Sequence, residues 1–60
     1  MSTVYNPEAD IIARIETLER EARDIRRRLD HAKLDEDKRV LDKQLKEAEQ
    51  QVQVLRQRLP

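Results

Sequence analysis

Sixty residues bound this chain to one small domain, and 43 % of them are charged, with thirteen basic and thirteen acidic side chains in balance. The balance excludes a global field that would draw in nucleic acid or an anionic membrane. The lack of cysteine excludes a disulfide staple and thiol chemistry.

Leu, Ile and Val supply fifteen residues and Phe none. That is close to the composition of a disordered chain, so folding depends on where those fifteen sit. No apolar run approaches the ~20 residues of a membrane span. The opening stretch "MSTVYNPEAD" lacks the basic-then-apolar order of a secretory signal. The expected setting is the cytoplasm, with no membrane contact.

In chain order, residues 1–5 read as a leader and 6–60 as a single helical hairpin. A helix is expected over about 7–32. Asn6 can cap it, Pro7 loses nothing at the first helical position, and Glu8 and Asp10 suit the positive end of the dipole. Ile11, Ile15, Leu18, Ala22, Ile25, Leu29 and Ala32 follow at alternating steps of four and three, a heptad seam.

A turn is expected over about 33–37. Asp35 is a competent cap for a second helix, with Leu34 before it as a staple residue. No glycine is available for a left-handed cap on the first helix, which should cost ~1 kcal/mol. The second helix, about 36–59, carries its own heptad: Leu41, Leu45, Ala48, Val52, Leu55 and Leu59.

The two seams are out of phase. Ala32 and Leu41 are nine residues apart, one heptad plus two, and a shift of two turns the apolar stripe by roughly 200°. One straight helix would carry its seams on nearly opposite faces. Acids open and bases close each half, as two separate helix dipoles require. Folding the chain about Asp35 gives six layers, each apolar on both sides: Leu29–Leu41, Ile25–Leu45, Ala22–Ala48, Leu18–Val52, Ile15–Leu55 and Ile11–Leu59. The same register sets Glu19 opposite Glu49.

The expected fold is therefore all-α, an antiparallel, coiled-coil-like helical hairpin. Its seam is a thin core for ordering so many residues. A homodimer, two hairpins stacked as a four-helix bundle, is the expected remedy. In layout, though in no motif, this resembles the dimerising hairpins of the repressor-of-primer type.

Outside the seam, Ile12, Val54, Val4 and Tyr5 gather near the termini, where they either widen the bundle as the leader packs there or form a candidate docking patch for another protein. Arg20, Arg23, Arg26, Arg27 and Arg28 form a candidate anion-binding stripe. Glu16, Glu19, Asp24 and Asp30 lie within ion-pairing reach of it, and no aromatic residue is interleaved for base stacking. His31 and Asp35 with neighbouring carboxylates read as capping and solvating groups rather than metal ligands. No nucleophile–base pair, glycine loop or paired buried carboxylate is visible, so no catalytic residue, cofactor or metal is expected. The expected function is a small non-enzymatic protein–protein interaction module: an adaptor, regulator or assembly subunit. The alternatives are a nucleic-acid-binding bundle using the Arg20–Arg28 stripe, or the dimerisation segment of a longer protein.

Overall fold

The computed structural model describes residues 6–60. Helix α1 spans Pro7–His31 and helix α2 spans Asp35–Gln57, and the two pack against each other as a hairpin. The molecule measures 53 × 23 × 12 Å. Its thinnest dimension is one helix diameter, so the hairpin is a single layer.

The start of α1 follows from Asn6. Its backbone is extended, and its Oδ1 accepts hydrogen bonds from the N–H groups of Glu8 at 3.1 Å and Ala9 at 3.4 Å. The end of α1 uses no left-handed residue, and no described residue has a positive φ. Ala32 takes φ −70° and ψ 133°, and its N–H donates to the Leu29 carbonyl. Any residue adopts that backbone, so the cost attached above to the missing glycine does not arise.

The link between the helices is three residues, Ala32 to Leu34, rather than five. Leu34, not Asp35, occupies the capping position of α2, with no side-chain hydrogen bond to the free N–H groups. Asp35 is the first helical residue instead. There it joins Glu36 and Asp37 in placing three carboxylates against the positive end of the helix.

The core lies between the helices. Ile15, Leu18, Ala22, Ala48, Val52 and Leu55 are buried. Leu18 and Val52 with Ile15 and Leu55 form one cluster, and Ile11 and Leu59 close it at the open end. Toward the turn, Ile25, Leu29, Leu41 and Leu45 are only half-buried. The tightest packing is therefore displaced from the turn toward the open end.

Candidate interaction surfaces

A one-layer hairpin leaves both flanks of its seam facing outward. The residues bordering the seam make the two flanks chemically different.

Two ion pairs span one flank. Arg56 donates to Glu19 at 2.8 Å, and Arg26 donates to Glu49 at 2.9 Å. This corrects the expected opposition of Glu19 and Glu49: each carboxylate takes an arginine from the other helix. Helix side chains lean toward their own N-terminus. In an antiparallel pair a flanking side chain therefore meets a partner set back toward the other helix's C-terminus, not the level one. Arg56 is set back that way from Glu19, whereas Glu49 is not. A depression of about 350 Å³ over Ala22 and Val52 lies between the two pairs.

The opposite flank has no inter-helix ion pair among the described residues. Two shallow grooves run along it. The one nearer the open end is about 460 Å³, bordered by Arg14, Gln51, Val54 and Arg58. The second, about 260 Å³, has Leu18, Ile25 and Ala48 in its floor and Glu21, Gln44 and Glu47 at its rim. Glu47 and Gln51 line both, so the grooves adjoin.

Of the candidate docking patch, Val4 and Tyr5 lie outside the described residues. Ile12 is 46 % exposed and Val54 44 %. The hairpin does not bring these two together. Ile12 stands one heptad before Glu19, on the ion-paired flank, whereas Val54 borders the open groove. Leu34 and Val40, near the turn, are each exposed, at 65 % and 55 %.

The candidate basic stripe is divided. Arg26 turns across the hairpin to Glu49, and Arg28 pairs with Asp24 one helical turn away at 3.1 Å. Arg20 donates to the Thr17 hydroxyl at 3.3 Å. Arg23 borders the depression on the ion-paired flank, and Arg27 is exposed. Two of the five guanidiniums are thus held by carboxylates.

Among the described residues, no three His, Asp or Glu side chains converge as a metal site, and no helix is long and apolar enough to cross a membrane. The open groove is the feature that sequence reasoning missed. Its signal was present in Gln44 and Gln51, the uncharged residues preceding Leu45 and Val52 at seam borders where charge otherwise prevails. No protein-family model, curated protein or solved structure matches this chain.

Proposed function

We propose that this chain is a non-enzymatic, cytoplasmic protein–protein interaction module that acts as a homodimer, two hairpins forming a four-helix bundle that engages another protein. The observation that carries this reading is the asymmetry of the single-layer hairpin. One flank is bridged by ion pairs, while the other leaves Leu18, Ile25 and Ala48 at the floor of an unbridged groove. A second hairpin on that flank gives the thin core the additional cover it lacks.

The test is the concentration dependence of melting, combined with sedimentation. Melting temperature rises over a hundredfold increase in chain concentration if dimerisation stabilises the fold. A constant melting temperature with a monomer mass overturns the dimer. Co-purification of a stoichiometric protein at ordinary salt supports the adaptor role.

The rival reading is nucleic-acid binding through Arg20, Arg23 and Arg27, which form no ion pair with a carboxylate among the described residues. It requires affinity for RNA or DNA that falls steeply with salt. The commitment of Arg26 and Arg28 to carboxylates weakens this reading.

A further inference from the structure

We infer that the open flank is self-complementary: it docks the same flank of a second copy, run antiparallel about a twofold axis close to Gln51. This rests on the dimer reading above and adds the face, the orientation and the residues that recognise one another.

The side chains along the groove follow a charge order. Arg14 and Arg58 border the part nearest the open end. Glu21 and Glu47 border the part nearer the turn. Gln51 and Glu47 line both parts, with Gln51 the nearer of the two to the arginines. The flank is therefore basic at one end of the groove, acidic at the other and neutral between.

A twofold axis through the neutral point exchanges the two ends. The arginine pair of one hairpin then faces the second copy's Glu21 and Glu47, and the reverse contact forms at the same time, as an isologous interface requires. Gln51 meets its own copy near the axis, where two amides can each donate and accept. A parallel arrangement places arginine on arginine and glutamate on glutamate.

The apolar surface follows the same symmetry. Val54 is exposed on the basic side of Gln51, and the dip over Ala48 lies on the acidic side. The dip lies where the seam carries the small side chain of Ala48. Antiparallel docking brings each Val54 toward the other copy's dip, and also covers half-buried Ile25. Glu21 is level with position 49, two residues from Gln51, so of the four bordering charges it comes nearest to its own copy. Its repulsion is offset by the arginines on either side.

The experiment uses two variants of the full chain. Arg14→Glu with Arg58→Glu makes the bordering charges acidic throughout. Glu21→Arg with Glu47→Arg makes them basic throughout. In sedimentation equilibrium near physiological salt, each variant alone should dimerise at least about tenfold more weakly than the parent chain, and the mixture should form a one-to-one heterodimer. Circular dichroism on each variant checks that it remains helical.

An independent measurement avoids the charge changes. The chain has no cysteine, so Gln51→Cys introduces a unique thiol, which should oxidise to a covalent dimer. Gln53→Cys, bordering the ion-paired flank, should not. A dimeric parent chain whose Gln53→Cys variant crosslinks while Gln51→Cys does not overturns this interface and leaves the dimer reading standing. A parent chain monomeric at every concentration overturns both.

Discussion

Arg56 reaches Glu19 across the hairpin at 2.8 Å, joining positions 37 residues apart in sequence. The Arg26–Glu49 pair repeats the relation in the reverse sense, with the acid on α2. Both pairs are about half exposed, so solvent screens them. Their coupling should be ~0.2–1 kcal/mol in a double-mutant cycle of Glu19→Gln and Arg56→Gln, and should shrink in high salt. Exchanging the charges, Glu19→Arg with Arg56→Glu, should recover most of what either change alone loses. Chemical denaturation reads both effects, and zero coupling at low salt would argue against this pairing.

Ala22 and Ala48 are both buried, at 5 % and 7 % exposure. Ala22→Leu should overpack their layer and lower stability by ~1–3 kcal/mol. A parallel dimer formed through α1 alone would instead place an undersized Ala22 opposite its own copy, and leucine there would stabilise. A rise in melting temperature at fixed chain concentration counts against the hairpin.

The two helix starts differ in one chemical group. Asn6 supplies a side-chain oxygen to α1, while Leu34 supplies none to α2. Asn6→Ala should therefore cost ~0.5–2 kcal/mol. Leu34→Ser should stabilise by ~0.5–1 kcal/mol, since Leu34 is largely exposed and little packing is lost. Urea denaturation of the two variants should move the midpoint in opposite directions.

Spin labels at Glu16 and Gln53 separate the hairpin from a straightened chain. Side-by-side helices should give a distance of roughly 10–20 Å. A continuous helix would give about 55 Å. Labelled chains diluted into unlabelled ones isolate the distance within one molecule, and a long distance there would sink the hairpin.

The hairpin was legible because two independent signals agreed: the phase slip between Ala32 and Leu41, and the repeated order of acids before bases. The Asn6 cap was legible because its hydrogen bonds are local. The choice of Glu19's partner was not. A heptad pattern fixes which residues border a seam but leaves flanking side chains a choice between partners seven residues apart, and the lean of the side chains decides. The start of α2 was misplaced by one residue, because Asp35 is chemically suited to the cap as well as to the first turn. The groove needed three dimensions, since Arg14, Glu21, Gln51 and Arg58 come from both helices.

The displacement of the core from the turn sets where the molecule loosens. In a hairpin packed best beside its link, amide exchange slows steadily toward the middle of the sequence. Here the strongest protection should fall on the backbone around Leu18 and Val52, and exchange should quicken toward Leu29 and Leu41, where the layers are half-buried. The covalent link therefore sits beside a soft end. Small openings can begin from the centre of the chain while the distant segments that carry residues 15–18 and 52–55 stay closed.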